Sequence, residues 1–299
     1  MDRLERFLDR AEKMLDRLEP LLPAAETEPD WCIGTAFRWR HRNGRAALEP
    51  IRAPHPIRPE ELRGISRQHE ILDRNTRQHL AGLPANNALL WGARGTGKSS
   101  LVKALHTAYA DDGLRMIEIE PEHLIELPDL LEALASRPER FIIFCDDLSF
   151  DANNDHFRAL KAVLDGSLSA STDNALLYAT SNRRHLVPEA QDDNHQARIR
   201  GGEIHHGDAV EERISLSERF GLRLSFHPFN QEAYLMICAH WLERLGLPEE
   251  AASESMRNAA LAYALDRGSR SGRVAWQFAR DWAGSRRLQK LEAAAASDQ

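Results

Sequence analysis

The 299-residue sequence has few cysteines and no long apolar stretch. Its three cysteines, Cys32, Cys145 and Cys238, lie far apart without a C-x-x-C pair, which argues against a disulfide framework or a zinc site. No run of about 18 apolar residues occurs, so we expect no membrane span. The first ten residues, MDRLERFLDR, are charged and lack the apolar core of a secretion signal. We therefore expect a cytoplasmic protein.

An excess of positive charge is also missing. The formal net charge is -7, so the chain as a whole is not attracted to nucleic acid, although this total is compatible with a local basic patch. Apolar residues make up 42% of the chain and charged residues 28%, as in ordinary globular proteins. The length suits one large domain or two modest ones.

Short apolar runs alternate with segments of helical periodicity along the middle of the chain. We predict strands at 88–91, 114–119, 141–145, 175–179 and 222–226, and helices at 98–110, 128–135, 156–168 and 209–219. This alternation indicates an α/β fold, an αβα sandwich around a five-stranded parallel sheet. Residues 188–208 are polar and contain His and Gly, and we expect them to form a mobile surface loop.

Helical segments flank this core. Residues 1–22 have the apolar spacing of an amphipathic helix, residues 31–39 are compatible with a strand, and several prolines up to Pro59 mark a linker before a helix at 67–81. After Pro228 the pattern predicts a small helical lid with helices at 231–245, 248–266 and 272–288. We divide the chain into an N-terminal extension (1–60), a core (61–228), a lid (229–290) and a disordered tail (291–299).

Residues 92–99 read GARGTGKS and match the phosphate-binding pattern G-x-x-x-x-G-K-[ST]. Glycines allow backbone N–H groups to approach phosphate oxygens, and the start of the next helix faces the anion with its positive dipole end. Lys98 would neutralise the β- and γ-phosphates, and the hydroxyl of Ser99 would be a Mg²⁺ ligand. The candidate nucleotide-binding residues of this loop are Gly92, Ala93, Arg94, Gly95, Thr96, Gly97, Lys98, Ser99 and Ser100.

The apolar run FIIFC, at 141–145, ends in Asp146 and Asp147. A buried strand that ends in a carboxylate is the second half of such a site, and Asp146 is the candidate for the Mg²⁺ shell. Asp147 would polarise the attacking water. Taken alone, the pattern is equally compatible with a strand followed by a solvated acidic turn, and the phosphate-binding loop favours the functional interpretation.

Four segments resemble the AAA+ ATPases: LLWGARGTGKSSL, RFIIFCDDLSF, LLYATSNRRHLVPE and ISLSERFGLRLSF. More closely, they resemble a bacterial family of predicted AAA+ ATPases known as domain of unknown function 815. The likeness extends over residues 62–241. It implies Mg²⁺-dependent ATP hydrolysis and a homo-oligomer, either a ring or a filament, that remodels or loads a macromolecule.

The resemblance implies further roles. Asn182 would orient the lytic water, the alternative being an Asn that begins a turn. Arg219 would be an arginine finger for a neighbouring subunit, the alternative being a helix-end cation stabilised by the dipole. Arg273 would contact the nucleotide from the lid, with Arg270 as the competing candidate. Gly64 and Ile65 would lie near the adenine.

Two other functions stay open at this point. One is a nucleic-acid-linked ATP switch, similar to replication initiators or helicase loaders, which also use an Asp-Asp second motif. The acidic net charge and the lack of a recognisable DNA-binding domain argue against it. The other is a kinase of small molecules, which the arginine pattern and the helical lid disfavour.

Overall fold

The computed structural model of the chain describes residues 7 and 31 and the ranges 34–42, 45–52, 57–148, 155–165, 173–182, 198–200, 203–205 and 215–297. The helix predicted at 1–22 lies outside these residues, apart from position 7. Among the described helices, none combines the length and the apolar character that a membrane span requires.

Most of the strands in the described ranges belong to one sheet. They are β1 (Ala36–Arg42), β2 (Arg45–Pro50), β3 (Ala88–Gly92), β4 (Leu114–Glu118), β5 (Arg140–Cys145), β6 (Ala175–Ser181), β7 (Arg198–Arg200), β8 (Glu203–His205) and β9 (Leu222–Phe226). The main sheet has the order β2-β1-β4-β5-β6-β3-β9, and β7 pairs only with β8. Within the main sheet all neighbours are parallel except β1 and β2.

The α/β class is confirmed, and the predicted count of five strands is corrected to seven. The five predicted strands are all present, but β1 adds to the otherwise open edge of β4 and is followed by β2. A covered edge leaves fewer unpaired backbone groups exposed, which is the physical reason for such an addition. Residues 36–42 and 45–50, which we assigned to an N-terminal extension, thus belong to the sheet of the core.

Both faces of the sheet are covered, as expected for parallel strands. Strand β5 is buried along residues 141–145, and its alternate side chains enter two different apolar clusters. Ile142 and Phe144 pack in one cluster with residues of the lid, whereas Phe141 and Ile143 pack in the other. The alternation follows from the two-residue period of a strand.

Eight helices cover the sheet or follow it in the described ranges. They are α1 (Ser66–Leu80), α2 (Lys98–Tyr109), α3 (Leu127–Leu134), α4 (Asp155–Leu164), α5 (Gln231–Arg244), α6 (Pro248–Ala251), α7 (Glu254–Asp266) and α8 (Gly272–Ser297). Short 3-10 helices occur at Pro59–Glu61 and Pro121–Glu126. Helix α5 begins where the side chain of Asn230 accepts a hydrogen bond from the amide of Ala233 at 2.8 Å.

Three helical predictions differ from the structure. The helix predicted at 248–266 is two helices, because Ser253 begins a new one by accepting a hydrogen bond from the amide of Met256 at 3.1 Å. Helix α8 continues to Ser297 and includes part of the segment 291–299 that we expected to be disordered. Of the helix predicted at 209–219, only 215–219 is described. Positions 215–218 are helical, and Arg219 lies in the turn that follows.

The segment 188–208, expected to be a loop, contains the antiparallel pair β7 and β8, in which Ile199 lies opposite Ile204. Each short strand places an isoleucine between polar residues, a two-residue alternation typical of strands. The remainder of this segment lies outside the described residues. The expected mobility of the loop therefore stays a prediction.

The sheet topology brings the candidate residues together. Strands β3, β6 and β5 are consecutive parallel neighbours, so their carboxyl ends meet at one edge. The phosphate-binding loop follows β3, Asp146 follows β5, and Asn182 follows β6. Ligands of open α/β sheets bind at this edge, next to the strand where the order reverses, and here that strand is β3.

Candidate functional site

The loop between β3 and α2 needs glycine for reasons of backbone shape and space. Gly92, Gly95 and Gly97 all have positive φ, at 129°, 74° and 100°. A Cβ atom on Gly92 would lie 2.0 Å from the carbonyl oxygen of Phe226, which no shift of a side chain can relieve. The loop therefore holds a conformation that residues with a side chain rarely adopt.

Lys98 is buried beneath the loop and bonded to it. Its ammonium group donates hydrogen bonds to the carbonyls of Gly92 at 2.9 Å and Ala93 at 2.8 Å, and to Oδ1 of Asn182 at 3.0 Å. Burial lowers the pKa of Lys98 to about 8, although the carboxylates of Asp146 and Asp147 oppose the shift. The ammonium group of Lys98 is thus held among three oxygen acceptors.

Ser99 and Asp146 form the part of the site suited to a metal. The hydroxyl of Ser99 donates to Oδ1 of Asp146 at 2.6 Å, and the hydroxyl of Thr180 donates to the same oxygen at 2.5 Å. A serine hydroxyl beside a carboxylate is the oxygen donor set that holds Mg²⁺ in phosphate-binding loops. The chemistry of these residues therefore fits Mg²⁺.

Asp147 has an unusual backbone conformation that aims it into the site. Its φ of 56° is the only positive φ of a non-glycine residue in the described ranges. The backbone amide of Asp147 donates to Oγ1 of Thr180 at 3.0 Å, and its carboxylate accepts from Nδ2 of Asn182 at 2.6 Å. Such a conformation is maintained only where the surroundings fix it, and it often occurs at functional sites.

Asn182 connects the two halves of the site. Its amide group contacts Asp147 through Nδ2 and Lys98 through Oδ1. One side chain thus contacts both the phosphate-binding cation and the candidate base. This is the position that the resemblance gave to the residue that orients the lytic water.

The lid contacts the phosphate-binding loop directly. The amide of Gly272 donates to the carbonyl of Gly95 at 2.8 Å, and a Cβ on Gly95 would lie 2.9 Å from Oγ of Ser271. Arg273 follows in the first turn of α8 and lines the same cavity as Lys98. Among the described residues, the guanidinium of Arg273 has no hydrogen-bonding or ionic partner.

That cavity has a volume of about 600 Å³ and lies between the core and the lid. Its polar end is formed by residues 94–100, Asp146, Asp147 and Asn182, and its apolar end by Leu62, Ile65, Phe229, Ile237 and Trp241. Ile65 therefore lines the cavity, and its place near the adenine stays a prediction. Gly64 does not line the cavity but supports it, because its φ is 79° and a Cβ would lie 2.9 Å from the ring of Phe229.

A second cavity, of about 810 Å³, lies on the other side of the loop. Arg270 lines it together with Ala93 and Leu265, and it shares Arg94, Thr96 and Asn182 with the first cavity. Although it is larger, it contains neither carboxylate nor Lys98. The smaller cavity is therefore the site of the candidate chemistry, and Arg273 rather than Arg270 faces it.

Arg219 is located away from both cavities. It precedes the amino end of β9, whereas the loop follows the carboxyl end of the neighbouring strand β3, and Leu222 to Phe226 pair with Ala88 to Gly92. Because the strands are parallel and in this register, the amino end of β9 and the carboxyl end of β3 are separated by four residue steps. At 3.3 Å per residue this is about 13 Å. Arg219 donates hydrogen bonds to Asp165 and to Ser215. It does not complete the site of its own chain.

Some site residues carried no signal in the sequence. Thr180 contacts both aspartates, and Phe229 and Trp241 line the apolar end. Lys103 lines the cavity one turn after Ser99, with its ammonium 5.8 Å from the centre of the Phe144 ring. The four-residue spacing on α2 from Ser99 would have placed Lys103 on the same helix face. Thr180 lies in the segment LLYATSNRRHLVPE but was given no role there, and Phe229 and Trp241 belong to no motif.

Fold and site together define a P-loop nucleotide-binding protein of the AAA+ class. The sequence profile of one family, described as Protein of unknown function (DUF815), matches residues 34–286. This is more than half of the chain, and the protein belongs to that family. No curated protein is significantly similar to it in sequence.

The solved structures that resemble this chain are distant from it in sequence. The Aeropyrum pernix ORC1 protein in complex with DNA is 16% identical, with a TM-score of 0.52 over 76% of this chain and 61% of that chain. The Thermotoga maritima RuvB Holliday junction branch migration motor is 13% identical, with a TM-score of 0.40 over 75% of this chain and 71% of that chain. At such identities the likeness to ORC1 shows the fold alone.

Proposed function

We propose that this chain is a Mg²⁺-dependent ATPase whose hydrolysis is completed by a second copy of itself. Its nucleotide state would drive assembly and the remodelling or loading of a macromolecule. The observation that carries the proposal is the position of Asn182, which contacts Lys98 at 3.0 Å and Asp147 at 2.6 Å. One side chain thereby joins the group that would bind the γ-phosphate to the group that would activate water.

The phosphate end is a binding site of fixed charges and dipoles. Lys98 would exchange its bonds to the carbonyls of Gly92 and Ala93 for bonds to the β- and γ-phosphates, and the amides of the loop would donate to the same oxygens. Arg273, which has no partner among the described residues, would add a second cation from the lid. Phosphoryl transfer needs little more than such positioning and charge neutralisation.

Ser99 and Asp146 would hold Mg²⁺, and Thr180 would keep the carboxylate of Asp146 in place. The metal would supply positive charge that neutralises the charge developing on the phosphates during transfer. Asp147 would accept a proton from the attacking water while Asn182 fixes the direction of its carboxylate.

The base would bind at the apolar end of the cavity. Ile65 comes from the core, and Ile237 and Trp241 come from α5 of the lid, so a bound nucleotide would contact both parts of the chain. Because the lid also contacts the loop through Gly272, binding would stabilise one arrangement of lid and core. Nucleotide binding would thereby change the surface that the lid and core present to a partner.

The catalytic arginine would come from a neighbouring copy. Arg219 lines neither cavity of its own chain, and its side chain is 24% exposed at the opposite edge of the sheet. A homo-oligomer, either a ring or a filament, would place it at the nucleotide of the next protomer. An arginine supplied in this way contributes about 10³ to 10⁵ in rate.

A mixing experiment tests the proposal. Arg219→Ala keeps its own phosphate site, and Lys98→Ala keeps its arginine, so each variant alone should be inactive in phosphate release. Mixed in equal amounts, they should recover part of the activity, and wild-type specific activity should rise with protein concentration. Arg223→Ala, an exposed arginine of the adjoining strand β9, is the matched control and should behave as wild type.

The proposal fails if mixed assemblies form without recovering activity, or if dilute monomer hydrolyses ATP at the full rate. A further arm adds duplex DNA, since the ORC1 structure, which is similar in fold to this chain, is described as a complex with DNA. Stimulation of phosphate release by DNA would favour the alternative, a nucleic-acid-linked ATP switch. We expect the protein to act in the cytoplasm.

A further inference from the structure

The guanidinium of Arg219 is held at two of its three nitrogens. Its Nε donates to the carboxylate of Asp165, and its Nη1 donates to both the backbone carbonyl and the hydroxyl of Ser215. Among the described residues, the other terminal nitrogen, Nη2, has no hydrogen-bond partner. These three bonds engage Nε and Nη1, and the two N–H donors of Nη2 have no acceptor in the part of the chain that the structure describes.

The residues that hold Arg219 are themselves anchored in the fold. Asp165 follows α4, and its amide donates to the carbonyl of Lys161 at 2.9 Å. Ser215 lies in the helical turn before Arg219. Because a guanidinium is planar and rigid, bonds at Nε and Nη1 determine the direction in which Nη2 points.

We infer that Asp165 and Ser215 are positioning residues, which orient Arg219 so that its Nη2 donors meet the γ-phosphate bound by the neighbouring protomer. This role rests on the proposed action of Arg219 at the nucleotide of the next protomer, and it adds the residues that orient Arg219 for that contact. An exposed ion pair contributes little to stability by itself. A contact that withheld the arginine from a partner would engage both terminal nitrogens, whereas Nη2 has no partner among the residues that the structure describes.

Three substitutions separate the contributions to this orientation. Asp165→Ala removes the acceptor for Nε and should lower kcat about 10- to 100-fold, by analogy with the loss of hydrogen-bond partners that orient metal ligands. Asp165→Asn keeps an oxygen acceptor and should retain most of the activity. Ser215→Ala loses only the hydroxyl bond and should have a smaller effect than Asp165→Ala.

The control is Glu139→Ala, which removes another acid paired with an arginine, Arg137, and should leave kcat unchanged. ATP affinity and assembly should be unaffected in every Asp165 variant, because Asp165 lines neither cavity. In mixtures, Lys98→Ala protomers should supply an ordered arginine to the intact phosphate site of Asp165→Ala protomers and restore activity.

The decisive measurement is a double-mutant cycle on kcat. If Asp165 acts through Arg219, adding Asp165→Ala to Arg219→Ala should cause no further loss. Equal losses in both backgrounds, or a rate that rises in Asp165→Ala, would overturn the positioning role. If Arg219→Ala itself keeps full activity, the trans arrangement has failed. If Arg219→Ala is inactive while Asp165→Ala is normal, only the positioning role has failed.

Discussion

The amide of Gly272 donates a hydrogen bond of 2.8 Å to the carbonyl of Gly95, and this bond joins the first residue of the last lid helix to the phosphate-binding loop. Because Gly272 belongs to α8 and Gly95 to the loop after β3, the lid cannot move away without breaking a contact of the loop itself. Arg273, the next residue of α8, reaches the nucleotide cavity through this arrangement.

Gly95→Ala should separate the lid from the loop. The new Cβ would lie 2.9 Å from Oγ of Ser271 and 3.3 Å from Cβ of Arg273. We expect ATP affinity to fall clearly, and we would measure it by titration calorimetry. Gly113→Ala is the matched control, because Gly113 has a positive φ of 94° but nothing within 4 Å of a Cβ. Both variants should lose about 1 kcal/mol of stability from backbone strain. Equal ATP affinity in both variants would contradict the role of the contact.

ATP affinity should depend on pH through Lys98. Its pKa in the free protein is lowered to about 8 by burial, so Lys98 is charged at pH 7 and loses its proton as pH rises through 8. Because the ATP phosphates bind the charged form of Lys98, ATP binding above pH 8 must be accompanied by the uptake of a proton. ATP affinity should therefore fall by up to about tenfold per pH unit. Calorimetric titrations between pH 7 and 9.5 measure this.

The same shift has an effect on folding that runs the other way. The unfolded lysine, with an ordinary pKa near 10.5, binds more protons than the folded one between pH 8 and 10.5. The contribution of Lys98 to the free energy of unfolding should therefore increase with pH in this window. Lys98→Met should lose both dependences, and a wild-type affinity that stays constant up to pH 9.5 would rule out the lowered pKa.

Asp147→Asn should hold ATP without hydrolysing it at the normal rate. Asn keeps the shape of the side chain but removes the charge that polarises water, and general-base catalysis contributes about 10² to 10⁴ in rate. Phosphate release by the variant should fall by that order, while calorimetry should give near-native ATP affinity. Turnover at the wild-type rate would move the role of the base to another group, with Asn182 or a chain of waters as the first candidate.

Thr180→Val should impair hydrolysis more than nucleotide binding. The hydroxyl of Thr180 donates to Asp146 at 2.5 Å and accepts from the amide of Asp147 at 3.0 Å. Val has nearly the same shape but leaves that amide without its acceptor, at a cost of about 1 to 3 kcal/mol. Thr180→Ser keeps the hydroxyl and should retain activity. Steady-state kinetics and denaturant unfolding of both variants provide the comparison, and equal kcat in the two would contradict the role of the hydroxyl.

The sequence determined the parts of this protein that depend on neighbours in the chain. The loop at 92–99 is encoded by its own glycines, and the apolar run that ends in Asp146 forms a buried strand because every side chain of 141–145 can be buried. Strand and helix periods thus predicted the five central strands and most of the helices. Strand β1 overlaps the strand expected at 31–39, but its place in the sheet escaped prediction, because pairing with β4 depends on an edge that only the folded sheet presents.

The tertiary structure decided which residues of distant segments meet. Arg270 and Arg273 differ by three positions, and only the contact of Gly272 with Gly95 turns Arg273 toward the nucleotide cavity. Thr180 touches both aspartates because the register of β5 and β6 sets Cys145 beside Ala179. Arg219 is directed by Asp165, 54 residues away in sequence. Such relationships come from packing and strand register, which no local pattern of residues contains.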